Sequence, residues 1–345
     1  MKASKGLLSS VTAASSCGRM RVSAKTSKRG VHTVVMIRHG ESSWNVEKRF
    51  TGWCDVPLTD HGEIDAHDAG VLMGERGMKF DVAFTSTLER AWRTCAIALS
   101  AAGQSGSVET QRSWQLNERH YGALQGHLKD SPKLTQLYGE QKILDWRRSY
   151  DIAPPSLYDK EFAQDMGPES FIRATQTMNP AFLDHRKTPK IKGARGPNFN
   201  TPQYSLDDIE GDHLYPSTES LKNCEDRAFG YWNNVIAPRV KAGERVLIVA
   251  HANTIRALVK AVDQIDDSLI AHLKIPNGIP LVYTMDKDLN PILDFTDDLG
   301  FQANYLVSAR NHGKVRKIIY FFVLLFLFLI FFFYSFIGEY DIFHY

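Results

Sequence analysis

Two short apolar runs, each ending on a histidine, constrain this chain more than any other feature of it. Val34 to Ile37 leads into Arg38, His39, Gly40 and Glu41, and Arg245 to Ala250 (RVLIVA) leads into His251. Near-continuous apolar runs of this length suit strands buried on both faces, as in the interior of a parallel sheet. In open α/β sheets, ligands gather outside the carboxyl ends of the strands. Both histidines therefore stand where one crevice can hold them, and Arg38 adds a guanidinium beside His39.

The segments between these runs complete the pattern. Thr59 caps a predicted helix with Ile64, Val71 and Leu72 on one side, and Asp81 to Phe84 reads as a second strand. Ser86 with Glu89 reads as a capping box for a helix whose inward stripe is Leu88, Ala91, Trp92, Cys95, Ala98, Leu99 and Ala102. Arg90 falls in its first turn, off that stripe, where free amides and the helix dipole favour an anion. Leu221, Cys224, Ala228, Trp232 and Val235 mark another helix. Thr254 to Val262 forms the last, with Ile255, Leu258, Val259 and Val262 inward. The order predicts a three-layer α/β/α domain with a mostly parallel central sheet. Residues 149–217 hold eight of the 14 prolines with little periodicity, and read as a long irregular insertion of the lid or mobile-segment kind.

Charge excludes one class of partner. The chain of 345 residues carries a formal +2, but residues 1–30 contain seven basic residues and no acid, which leaves the remainder at −5. With no long basic stripe, nucleic acid is not an expected partner. The basic tract from Arg186 to Arg195 reads as a solvated face. The serine-rich, acid-free opening of residues 1–30 has the composition of a cleavable mitochondrial presequence, or else of a disordered tail in a cytoplasmic protein. At the other end, residues 318–337 form 20 uncharged residues, the length of a membrane-spanning helix, preceded by Arg310, Lys314, Arg316 and Lys317. A tail anchor is one reading and a segment foreign to the enzyme is the other. The four cysteines, Cys17, Cys54, Cys95 and Cys224, have no metal or disulfide spacing and read as reduced, mostly buried thiols.

The polar residues near the strand ends suggest a chemistry. Arg38, Arg90, Arg147 and Arg148 with Lys129 suit a substrate bearing phosphate and carboxylate. His39 has no second ligand at metal-binding spacing, so phosphoryl acceptance by a neutral imidazole nitrogen is its better role. Glu118, in a polar turn, can act as general acid or base. His61, His67, His120 and His127 read as solvated or scaffold residues, and Trp44, Trp53, Trp114, Trp146 and Trp232 as packing.

Six blocks carry a resemblance: VVMIRHGESSWN (34–45), RFTGWCDVPLT (49–59), TSTLERA (85–91), LNERHYGALQG (116–126), WRRSY (146–150) and VAHANTIRALVK (249–260). Together they resemble the cofactor-dependent phosphoglycerate mutases of the histidine phosphatase superfamily, over residues 31–313. The resemblance implies that His39 is phosphorylated, that Arg38, Arg90 and His251 neutralise the phosphoryl group in transfer, and that Glu118 moves protons. It further implies that Ser42, Asn45, Thr51, Gly52, Tyr121, Lys129, Arg147, Arg148 and Asn253 cradle phosphoglycerate. It implies 2,3-bisphosphoglycerate as the cofactor that primes His39, no metal, and a homodimer or homotetramer.

Two departures from the family stand out. Ala252 occupies a usual glycine position; its backbone N–H keeps a substrate contact available unless the position needs positive φ. The stretch after Arg148 is also longer than the family norm, which bears on lid closure and subunit packing. A bisphosphoglycerate synthase or phosphatase of the same fold would use the same two histidines. A membrane-tethered, non-catalytic binding protein is the alternative from another class, and intact Arg38, His39, Arg90, Glu118 and His251 argue against it.

Overall fold

The computed structural model describes residues 30–182, 215–270, 273–292 and 303–306. The expected leader up to residue 29, the basic tract 186–195 and the apolar segment 318–337 lie outside the described residues.

Strand β1 (His32–Arg38) opens the domain and is followed by a short helix α1 (Ser43–Val46), then α2 (Asp60–Glu75), β2 (Val82–Thr85), α3 (Glu89–Ala101) and β3 (Glu109–Arg112). Helices α4 (Pro132–Arg148), α5 (Lys160–Met166) and α6 (Pro168–Thr177) come next. After them run α7 (Leu221–Tyr231), a π-helical turn at Trp232–Ile236, and α8 (Ala237–Lys241). The last described elements are β4 (Val246–Ala250), α9 (Ala252–Asp263), α10 (Asp267–Ile270), β5 (Leu281–Met285) and β6 (Asn304–Tyr305).

The six strands form one sheet in the order β3-β2-β4-β1-β5-β6. β2 pairs in parallel with β3 and β4, and β4 with β1, whereas β5 and β6 add an antiparallel edge. The mostly parallel sheet read from the sequence is thus present. The alternating register of β1 divides the core: Val34 and Met36 pack with Trp232, Ile236, Ile255 and Leu258 on one face, while Val35 and Ile37 meet Ala69, Leu72, Cys95 and Ala98 on the other. Helices therefore cover both faces, the three-layer arrangement that parallel strands require.

Local chemistry explains most boundaries. Thr59 accepts a hydrogen bond from the Gly62 N–H at 3.0 Å and so starts α2 where the sequence placed it. The expected capping box at Ser86 is corrected: α3 begins two residues later, with Leu88 at its N-cap and no side-chain cap. Ser86 is drawn instead to a buried histidine. The insertion after Arg148 is corrected in part, because α5 and α6 lie within 149–217. Asp159 accepts from the Phe162 N–H at 2.9 Å to start α5, and buried Phe162, Ala174 and Met178 dock the two helices. Pro168 sits in the first turn of α6, where a missing N–H costs nothing. Prolines there marked helix starts as well as loops.

Candidate active site

β1, β4 and β2 lie side by side and parallel, so the residues just past their ends converge. Arg38 pairs with Ala250 in register, and the His39 N–H donates to the Ala250 carbonyl at 3.0 Å. The next residue of each strand is a histidine, and the rings of His39 and His251 lie 5.0 Å apart between centroids. Thr85 ends β2 and donates to the Val249 carbonyl at 2.8 Å, which brings Ser86 to 2.7 Å from His251 Nε2. Gly40 makes the turn after His39 possible. Its Cα packs on the first turn of α2, where any Cβ would collide with the Gly62 carbonyl.

His39 is buried, and its Nδ1 lies 2.7 Å from the Gly40 carbonyl oxygen. A carbonyl cannot donate, so Nδ1 carries the proton and Nε2 keeps its lone pair. Burial holds the His39 pKa well below the usual histidine value, and the charges of Arg90 and Arg38 lower it further. Burial, then Arg90, His39 and Arg38, does the same to His251. Both imidazoles are neutral near pH 7. His251 Nδ1 and Arg38 Nε are buried without a hydrogen-bond partner among the described residues. Orphaned donors of this kind at the floor of a cationic cleft match the oxygens of a phosphoryl group.

The cavity over His39 has a volume of about 190 Å³. Arg38 and His39 enter it from the end of β1. Asn45, Thr51 and Gly52 come from α1 and the loop after it, Arg90 from the first turn of α3, and Arg147 and Arg148 from the last turn of α4. Glu118, Tyr121 and Lys129 supply the wall between, and Ala252 and Asn253 open α9. Ser42 and His251 do not line it. Ser42 precedes α1, and its N–H donates to Asn45 Oδ1 at 3.1 Å, so it acts on Asn45. The His251 ring lies next to that of His39, which does line it.

Arg90 stands in the first turn of α3, as the sequence placed it, and its side chain is buried. Its guanidinium donates to the Cys54 and Gly52 carbonyls, each at 2.8 Å, and so fixes the loop in which Gly52 adopts φ 53°. Burial lowers the pKa of Arg38, Arg90 and Lys129 from their usual values, the sign of cations that gain from an anion. Glu118 is held by two backbone donors: its Oε1 accepts from Arg119 N–H at 2.8 Å and from Asn253 N–H at 3.2 Å. Ala252 lies in the first turn of α9 with ordinary helical backbone, so the alanine costs nothing there and its N–H stays free of steric conflict.

Several residues escaped sequence reasoning. Arg256 lines the cavity and donates to Asn253 Oδ1 at 2.6 Å. It lies one turn past Ala252, so starting α9 two residues earlier than Thr254 would have placed it on the cavity face. Arg119 donates to the Trp146 carbonyl at 2.8 Å, holding the end of α4 that presents Arg147 and Arg148, and its guanidinium stacks 4.4 Å over the Tyr121 ring. Arg227 and Glu219 form a buried pair at 2.8 Å beneath the Glu118 turn. Only a solved geometry of that turn reveals them. His120 Nδ1 accepts from Gly122 N–H at 3.0 Å, the scaffold role expected of it. Cys54, Cys95 and Cys224 are buried free thiols, each pushed up to about 12 by burial.

Comparison with known proteins decides the family. The sequence model of the histidine phosphatase superfamily (branch 1) matches residues 34–188. A 2,3-bisphosphoglycerate-dependent phosphoglycerate mutase of Borrelia garinii subsp. bavariensis is 42% identical over 287 residues, covering 83% of this chain and all of the relative. The chain belongs to the phosphoglycerate mutases of the histidine phosphatase superfamily. A protein of the same description from Borreliella burgdorferi is also 42% identical, over 289 residues and 83% of this chain. Among solved structures, one described as mycobacterial hydrolase 1 superposes with a TM-score of 0.51 at 18% identity, over 77% of this chain and 97% of that one. That likeness concerns the fold.

Proposed function

We propose that this chain is a 2,3-bisphosphoglycerate-dependent phosphoglycerate mutase that interconverts 3-phosphoglycerate and 2-phosphoglycerate, with His39 as the phosphoryl carrier. The observation that carries the reading is the state of His39: a buried, neutral imidazole with Nδ1 committed to the Gly40 carbonyl and Nε2 free beside Arg38 and Arg90. Relatives 42% identical over most of the chain bear the same name.

The fit to a bisphosphate follows from the donor set. Arg38, Arg90, Arg147, Arg148 and Lys129 line one small cavity with Glu118 as its carboxylate. When bound, 2,3-bisphosphoglycerate supplies the phosphoryl group that primes the enzyme. His39 Nε2 forms the N–P bond as the ester P–O bond breaks, and Arg38, Arg90 and His251 hold the transferring oxygens. In the forward half-reaction the N–P bond breaks, the 2-hydroxyl of 3-phosphoglycerate takes the phosphoryl group, and Glu118 accepts the hydroxyl proton. In the second half His39 takes the 3-phosphoryl group while Glu118 returns its proton to the oxygen left behind. Asn45, Thr51, Gly52, Tyr121, Ala252 and Asn253 hold the rest of the substrate, and Ser42 acts through Asn45. The arginines supply the charge for which other phosphoryl-transfer enzymes use a metal.

A coupled assay of the full chain tests this. Trace 2,3-bisphosphoglycerate is expected to accelerate the interconversion, chelators to leave it unchanged, and His39→Ala to abolish it. A rate that needs manganese or ignores the bisphosphate would overturn the assignment. The reading also includes a homodimer or homotetramer, to be measured by sedimentation. The presequence in residues 1–30 and the anchor at 318–337 are proposals as well. Sequencing the mature N-terminus tests the first and carbonate extraction the second.

A further inference from the structure

A second cavity, of about 240 Å³, lies behind the wall of the first and shares its backbone. Residues 48–51 and 126–129 run antiparallel: the Phe50 N–H donates to the His127 carbonyl at 2.9 Å, the Gly126 N–H to the Phe50 carbonyl at 2.9 Å, and the Lys129 N–H to the Lys48 carbonyl at 2.8 Å. Phe50, Thr51 and Lys129 face the catalytic cavity, while Arg49, His127 and Leu128 face the other. Its far wall comes from the insertion: Glu169 and Arg173 of α6 and Met166 at the end of α5, with Lys133 from α4.

The lining is cationic and incompletely partnered. Arg49 has its Nε on Glu47, at 2.5 Å, and one amino group on the Gly126 carbonyl. Lys133 Nζ has only the Met166 carbonyl, at 3.0 Å, among the described residues, and the Arg173 guanidinium makes no hydrogen bond or ion pair with any described residue. Against three cations stand one lining carboxylate, Glu169, and Glu47 outside. His127 is only 9% exposed, and its Nε2 is buried with no hydrogen-bond partner among the described residues. Burying such a group without a partner is unfavourable, and an anion that accepts from an Nε2–H would supply the missing partner. Burial, then Arg173, Lys133 and Arg49, lowers the imidazole to about 4, as expected for a ring facing cations with no anion between them.

We propose that the cavity between Arg49, His127, Lys133 and Arg173 is a second binding site, separate from the catalytic one, for a compact phosphate-bearing dianion. Exposed Arg173 and Lys133 would meet the outer oxygens of its phosphate, and buried His127 the inner one. The inference is independent of the mutase reading, because none of these four side chains lines the catalytic cavity.

Equilibrium binding of radiolabelled inorganic phosphate to the full chain, in wild type and Arg173→Glu, tests it. Arg173 is exposed, so the variant is expected to keep the wild-type melting temperature and basal kcat. The expected result is one phosphate per chain fewer in Arg173→Glu, or at least a tenfold weaker Kd for that phosphate, with recovery in Arg173→Lys. Competition by glycerol 3-phosphate then separates the sources. Displacement of the Arg173-dependent phosphate at tenfold lower concentration than phosphate itself identifies an ester as the ligand, and weaker displacement identifies free phosphate. Equal phosphate stoichiometry and affinity in wild type and Arg173→Glu would overturn the site.

Discussion

Ser86 Oγ and His251 Nε2 lie 2.7 Å apart across 165 residues of sequence, at the ends of neighbouring parallel strands. Ser86 Oγ also accepts from the Leu88 N–H at 3.2 Å, which leaves its own proton to give to Nε2. The imidazole proton of His251 then sits on Nδ1, the atom buried without a partner among the described residues, from which a transferring phosphoryl oxygen can accept a hydrogen bond. Ser86→Ala frees the tautomer and ring. A loss of kcat of roughly tenfold is expected, about the worth of one buried hydrogen bond at 1.4 kcal/mol per tenfold, with KM for phosphoglycerate little changed. Unchanged kcat in Ser86→Ala would remove the serine from the mechanism.

The titration of His39 sets the acid limb of activity. An unperturbed histidine would be half protonated near pH 6.5, and its nucleophilic nitrogen lost as the pH falls below that. Burial together with Arg90 and Arg38 holds His39 well below 6.5, so the neutral form persists. The rate at which His39 is phosphorylated should therefore stay flat from pH 8 down to pH 6, as read by quenched-flow labelling from the bisphosphate. A halving near pH 6.5 would mean that the imidazole is not held neutral in this way.

Asp55 makes a stability prediction of opposite sign to most carboxylates. Burial raises it to about 6, against the hydrogen bond it accepts from the Glu89 N–H. The folded state then holds its proton more tightly than the unfolded chain, whose value is near 3.9. Between pH 4 and pH 6 the native state binds more protons, so this group's contribution to stability falls as the pH rises and levels off above 6. Asp55→Asn keeps the acceptor oxygen and removes the charge. It should be more stable than wild type above pH 6, by no more than about 3 kcal/mol, with the difference shrinking towards pH 4. Urea unfolding at pH 4.5 and 7.5 measures this, and a pH-independent difference would contradict it.

How much of this was legible in the sequence depends on what fixes each residue. The strands β1 and β4 and their histidines are set by local apolar runs, and a linear reading finds them. Ser86 was misread, because serine followed three residues later by glutamate satisfies a capping rule while the actual partner, His251, is distant in sequence. The proline-rich stretch after Arg148 concealed α5 and α6, whose stability comes from docking: Asp55 N–H donates to the Thr177 carbonyl at 2.7 Å, and Met178 packs beside Trp53 and Cys54. Arg256 was missed because α9 starts two residues before Thr254, and Arg119 and Arg227 because they act through backbone carbonyls brought close only by the fold. Among the residues foreseen for substrate, Ser42 alone stands outside the cavity, and its place at the start of α1 is a matter of helix geometry.

The buried pair of Arg227 and Glu219 carries the turn that presents Glu118, and this can be separated from a merely structural ion pair. Arg227 donates to the carbonyls of Gln115 at 2.7 Å and of Trp114 and Asn117 at 3.2 Å, while Glu219 Oε2 accepts from the His120 N–H at 2.8 Å. Their side chains are 7% and 3% exposed. Removing one partner leaves the other charge buried and unpaired, which typically costs about 3–5 kcal/mol, whereas replacing both with apolar groups costs much less. Arg227→Met should thus lower unfolding free energy by about that amount, and Arg227→Met with Glu219→Leu by clearly less. Activity should not recover in parallel. The double variant still lacks the donors that hold the Trp114 to Asn117 carbonyls, so its kcat should stay depressed while its stability returns. If kcat and stability recover together, the pair supports the fold alone and Glu118 is positioned by Asn253 and Arg119.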